Sequence, residues 1–110
     1  MHTDCLAHCL TSDEKRQFDE QGFLVVRDAL DPATLERLLP VVDRVDARER
    51  TPTFGSERLL SFSNILNEDP ALADLVDWSR TFPKVWGILG WNIYVYHTHL
   101  DVSPPLSAPP

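Results

Sequence analysis

Trp91-Asn92-Ile93-Tyr94-Val95-Tyr96-His97-Thr98-His99-Leu100-Asp101-Val102 is the stretch on which the reading of the fold turns. β-Branched and aromatic residues fill its first half, neither Gly nor Pro interrupts it, and Gly90 and Pro104 punctuate its ends. It reads as one long strand. Side chains alternate across a strand, so Trp91, Ile93, Val95, His97, His99 and Asp101 share one face. Tyr94, Tyr96, Thr98, Leu100 and Val102 share the other. The first face is apolar at its root and turns to imidazole and carboxylate, as when a strand runs from a packed core to the mouth of a polar pocket. His97, His99 and Asp101 are therefore the candidate site residues.

Before this stretch the chain reads mainly as helices. Thr81-Phe82-Pro83 opens a short one, with Val85, Trp86, Ile88 and Leu89 turned inward and Gly90 as its stop. Asp69-Pro70 starts another, carrying Leu72, Leu75 and Val76. Asp31 caps a longer helix with Pro32 at its first position. Leu35, Leu38, Leu39, Val42 and Val45 fall at helical spacing on one face of it, and Pro40 kinks or breaks it. Thr11-Ser12-Asp13-Glu14 is a capping box, and the helix it opens runs to about Gln21, stops at Gly22 and is pinned by Phe18. Phe23 to Arg27 and Arg58 to Phe62 read as short strands, Arg48 to Ser56 as a loop, and Trp78 and Trp86 as core or ledge residues. The domain organisation is then a disordered N-terminus at 1–10, a folded unit at 11–105 and a Pro-rich end at 106–110.

At 110 residues the chain is one domain or part of one, and its net charge of -7 disfavours a nucleic-acid partner. Arg44, Arg48, Arg50 and Arg58 are interspersed with Asp43, Asp46, Glu49 and Glu57, the pattern of a solvated surface. No apolar run approaches membrane-spanning length, and the first residues lack the pattern of a secretory signal. The expectation is a soluble cytoplasmic protein with no membrane partner. Cys5 and Cys9 with His2 and His8 invite a zinc reading, but their spacing fits no common zinc pattern and an inert terminus is the simpler account.

The class is α+β, yet the strands are few. A long strand beside one or two short ones would expose a hydrogen-bonding edge and an apolar face. The simplest resolution is that the chain is the front part of a larger fold. The alternatives are an intact small domain, or a non-catalytic assembly module that self-associates through an unpaired strand edge.

Leu10-Thr11-Ser12-Asp13-Glu14 with Phe18, Gly22 through Arg27, Leu30-Asp31-Pro32, and Ile88 through His97-Thr98-His99-Leu100 to Pro104-Pro105 together resemble the N-terminal part of the phytanoyl-CoA dioxygenase family. The resemblance implies the N-terminal helices and first strands of a double-stranded β-helix, or jelly roll, incomplete in this chain. In the complete family enzyme it implies Fe(II) held by two His and one carboxylate, 2-oxoglutarate as cosubstrate, and hydroxylation of a small organic substrate with O₂. That ligand set leaves open iron positions, which is why it suits oxygenases.

His99-Leu100-Asp101 has the His-x-Asp spelling of the first two iron ligands. In the family, however, the segment resembling Tyr96 to Pro105 precedes the iron motif, which makes this a look-alike. Same-face residues of a strand stand roughly 6.5 to 7 Å apart, so His97 and Asp101 lie roughly 13 Å apart and no single ion collects all three side chains. The resemblance assigns His97 and Asp101 to the pocket facing 2-oxoglutarate or substrate, with His99 and Asp101 as metal ligands the alternative. It implies no catalytic residue in this chain, no bound iron or 2-oxoglutarate, and no turnover by the chain alone.

Overall fold

Helix-forming signals and their stops explain most of what folds. The computed structural model describes residues 3–50 and 58–104. Its order is a 3-10 helix at Thr3–His8, α1 at Ser12–Gln21, α2 at Pro32–Glu49 and β1 at Leu60–Ser63. A 3-10 turn at Ile65–Asn67, α3 at Pro70–Ala73, α4 at Phe82–Leu89 and β2 at His99–Val102 follow. The architecture is mixed helix and sheet, and the sheet consists of two antiparallel strands. Of the expected loop at 48–56, Arg48 and Glu49 are still helical in α2, and 51–56, like the Pro-rich end at 106–110, lies outside the described residues.

The capping box forms as its spelling requires. The Glu14 backbone N–H donates to Thr11 Oγ1 at 3.2 Å, and the Thr11 N–H donates to Glu14 Oε2 at 2.8 Å. Asp31 caps α2 by accepting from the Thr34 N–H at 2.7 Å, with Pro32 in the first turn. Asp69 caps α3 in the same way through the Ala71 N–H at 3.0 Å.

α2 runs unbroken through Pro40. Pro40 and Glu36 are both exposed, so water can reach the Glu36 carbonyl that Pro40 leaves without a helical donor. The buried face of α2 is Thr34, Leu38, Val41 and Val45, within roughly 60° of the helix circumference. Leu38 and Val41 pack with Ala71 and Leu72 of α3, flanked by Leu30, Ile65 and Leu75. Leu35 and Leu39, expected on that face, are 41% and 57% exposed. The core stripe is thus rotated away from the leucines, and Thr34 occupies a position that reads as polar.

Several expected elements differ, among them the helix from Asp69-Pro70, which ends at Ala73 before Leu75 and Val76. Phe23 to Arg27 forms no strand, and Phe23 and Val25 are more than half exposed, because no strand of the sheet runs beside them. Thr3–His8, within the expected disordered terminus, is instead a 3-10 helix packed on α4 with Cys5 buried. Gly87 of α4 admits Leu10, just past the 3-10 helix, since a Cβ there would meet Leu10 Cβ at 2.7 Å.

α4 ends at Gly90, whose φ of 81° and ψ of -168° belong to a region only Gly occupies comfortably. Gly90→Ala should therefore lower unfolding stability by at least about 1 kcal/mol. An unchanged urea midpoint for that variant would contradict the backbone assignment.

The radius of gyration is 16.8 Å, against about 13 Å for a compact domain of this length. The excess matches the exposed apolar surface. Trp91, Tyr94, Val95 and Tyr96 are all more than half exposed, as are Leu39 and Leu89.

Candidate functional site

The decisive stretch pairs only at its end. Leu60, Ser61, Phe62 and Ser63 of β1 lie opposite Val102, Asp101, Leu100 and His99, and the Asn64 N–H extends the ladder by donating to the Thr98 carbonyl at 2.9 Å. Asn64 then turns into the left-handed region at φ 62°, which takes the chain away from the ladder. Residues 91–97 consequently carry no strand partner among the described residues, and the expected twelve-residue strand is a four-residue one.

Within β2 the alternation holds. His99 and Asp101 face solvent while Leu100 and Val102 are half-buried. His99 Nε2 lies 3.4 Å from Asp101 Oδ2, and their side chains are about half exposed. The His97 and His99 ring centroids are 5.1 Å apart. His97 is exposed and lines a small hollow of about 220 Å³ with Asn64, Asn67 and Thr98. The structure therefore brings His99 to both of its same-face neighbours, while Asp101 lies on the open side of the sheet.

These residues supply two metal donors side by side, not three. Among the described residues, no group of three His, Cys, Asp or Glu side chains gathers closely enough to hold a metal ion. A facial two-His, one-carboxylate set for Fe(II) needs a third protein ligand that the β2 cluster does not present. Cys5 and Cys9 form no such group either. Cys9 donates its thiol to the Cys5 carbonyl at 3.8 Å, and Cys5 is buried as a small apolar residue.

The root of the expected pocket wall differs most. Trp91, Tyr94, Val95 and Tyr96 stand open beside α4, whose Val85 and Leu89, expected inward, are 44% and 65% exposed. Trp86 and Trp91 pack at 4.6 Å between ring centroids, their planes tilted by 48°, and tie the wall to the helix. The Tyr94 and Tyr96 rings meet edge to face at 6.4 Å. Between α4 and the wall lies a hollow of about 810 Å³ with no charged side chain in its lining. It holds no cation to pair with the carboxylates of 2-oxoglutarate, and its mostly apolar lining suits an apolar surface.

A second hollow, about 550 Å³, is rimmed by Asp31, Asp74 and Asp77 with Arg37 and Trp78. The sequence gives no sign of it, because its residues come from separate helices and turns. Its chemistry is already engaged: Asp31 caps α2, Arg37 pairs with Asp74 at 2.9 Å, and Trp78 Nε1–H donates to the Ala29 carbonyl at 2.6 Å.

The perturbed carboxyls also belong to the scaffold. The Thr34 N–H, then the Thr34 hydroxyl, hold Asp31 below the ordinary carboxyl range. The Ala71 N–H, then Arg44, do the same for Asp69, and Arg48 does so for Glu68. These groups start helices and pin the flank of α2. None of the described helices is long and apolar enough to cross a membrane. Comparison of the chain with protein-family models, with curated proteins and with solved structures finds no match.

Proposed function

We propose that this chain supplies the helical flank and first sheet edge of a phytanoyl-CoA dioxygenase-like oxygenase. In complete form such an enzyme is a jelly roll that hydroxylates a small organic substrate with Fe(II), 2-oxoglutarate and O₂. The observation that carries the reading is the course of residues 90–102. They leave the helices at Gly90 as an open apolar wall and end in β2, where imidazoles and a carboxylate stand together. The ordered likeness from Leu10 to Pro105 supports it from the sequence side.

The part played by this chain's own residues is binding and exclusion of water. Trp91, Tyr94 and Tyr96 offer an apolar face to a substrate's hydrocarbon, and His97 offers a hydrogen-bonding group at the edge. His99 and Asp101 fall short of an iron site, so no redox step is assigned to them. Supplied with Fe(II), ascorbate and 2-oxoglutarate, the 110-residue chain should form no succinate above buffer; clear turnover would refute the assignment of the iron ligands elsewhere.

The family itself is tested by the nucleotide sequence that follows the Pro110 codon. A His-x-Asp within a few codons in frame, then a later His and Arg, is the expected result whether or not a stop codon intervenes. A frame without them overturns the oxygenase reading.

A further inference from the structure

We propose that the wall formed by α4 and residues 91–96 is the dimerisation surface of the 110-residue chain, its occupant being the same wall of a second copy. The proposal concerns the isolated 110-residue chain, in which a second copy occupies the face that Trp91, Tyr94 and Tyr96 turn to substrate under the oxygenase reading; its test reads association alone, so either can fail without the other. Three observations carry it.

The first is area. Trp91, Tyr94 and Tyr96 are 66%, 83% and 87% exposed. At the usual burial of an aromatic side chain they alone offer roughly 350 to 600 Å². A standard stable interface needs about 800 Å² from each partner, and Val85, Leu89 and Val95 supply much of the remainder.

The second is charge. Each copy carries a net charge of -7, so two copies repel over most of their surfaces. The hollow beside the wall has no charged residue in its lining, which makes it a face on which two copies can meet without opposing like charges.

The third is shape. The edge-to-face pair Tyr94 and Tyr96 lines the same hollow as Leu75, Val76, Val85 and Leu89, so one surface holds both exposed rings to insert and an apolar hollow to receive them. A two-fold axis places each copy's tyrosines in the other's recess, the self-complementary arrangement of an isologous dimer. A heterologous contact would need a recess elsewhere, and among the described residues the other large hollow is rimmed by aspartates.

Sedimentation velocity on the purified chain from roughly 1 µM to 1 mM tests the proposal. The expected result is a monomer–dimer equilibrium, persisting in high salt, that Tyr96→Glu weakens at least tenfold with an unchanged far-ultraviolet spectrum. Tyr96 is 87% exposed, so the substitution removes no core contact. Should Tyr96→Glu alter the spectrum, Val95→Ser at a residue 54% exposed replaces it, with the same weakening expected. A wild-type monomer throughout, an open series of larger species, a dimer lost in salt, or a dimer indifferent to both substitutions overturns the assignment.

Discussion

Val45→Asp is expected to abolish cooperative folding. Val45 has no exposed surface and sits on the single face of α2 that packs against α3 and β1. A carboxylate there loses its hydration at a position with no exposed surface, an effective cost of several kcal/mol. The whole stability of a domain this size is about 5 to 15 kcal/mol, and the loose packing puts this chain toward the lower end. Near-ultraviolet circular dichroism should collapse and the urea transition should broaden or vanish.

Leu39→Asp on the same helix is the discriminating control. Leu39 is 57% exposed, so its replacement should move stability by no more than about 0.5 kcal/mol. Equal damage from both variants would mean that α2 is rotated from the orientation described.

The contrast between those two residues shows what the sequence could and could not say. Its local chemistry was legible: Thr11 with Glu14, Asp31 with Pro32, Asp69 with Pro70 and the stop at Gly90 each dictate a backbone hydrogen bond or a φ angle within a few residues. The facing of α2 was not. Leucines at 35, 38 and 39 pull the apparent stripe to one side, whereas packing chooses the narrower set that includes Thr34 and Val41.

The same limit governs the candidate site. Strand propensity runs through residues 91–102, but a ladder needs a second backbone, and β1 offers only four residues before Asn64 turns away. Propensity without a partner leaves Tyr94 and Tyr96 in solvent. The nearness of His97, His99 and Asp101 was readable from period-two alternation alone, and their openness was not, because it depends on what lies across the sheet.

Lys84 gives the second large effect, and its size depends on pH. Its ammonium donates to Glu14 Oε2 at 2.6 Å and to the Cys9 carbonyl at 3.0 Å, joining α4 to the start of α1 across 70 positions. The Lys84 and Glu14 side chains are only 12% and 29% exposed, so solvent screens the pair less than it would on an open surface. Glu14 Oε2 also accepts from the Thr11 N–H and hydroxyl. Lys84, then the Thr11 N–H, holds the Glu14 carboxyl below its ordinary 4.5. A depressed folded-state value means that the unfolded chain takes up the proton first as pH falls. The stabilisation is therefore complete above about pH 5 and is lost as pH drops through the folded value.

Lys84→Met should cost about 1.5 to 3 kcal/mol at pH 7, the worth of hydrogen bonds to a charged group. In acid well below that depressed folded value most of that difference should disappear, since a protonated Glu14 no longer offers the ammonium a charge. Asp31, Asp69 and Glu68 are held low as well, so both proteins weaken in acid and only the difference between them isolates the Glu14 contact. Urea titrations of wild type and Lys84→Met at the two pH values measure that difference. A gap that stays constant with pH would show that Lys84 acts through its hydrocarbon packing and its bond to Cys9, with the carboxylate a bystander.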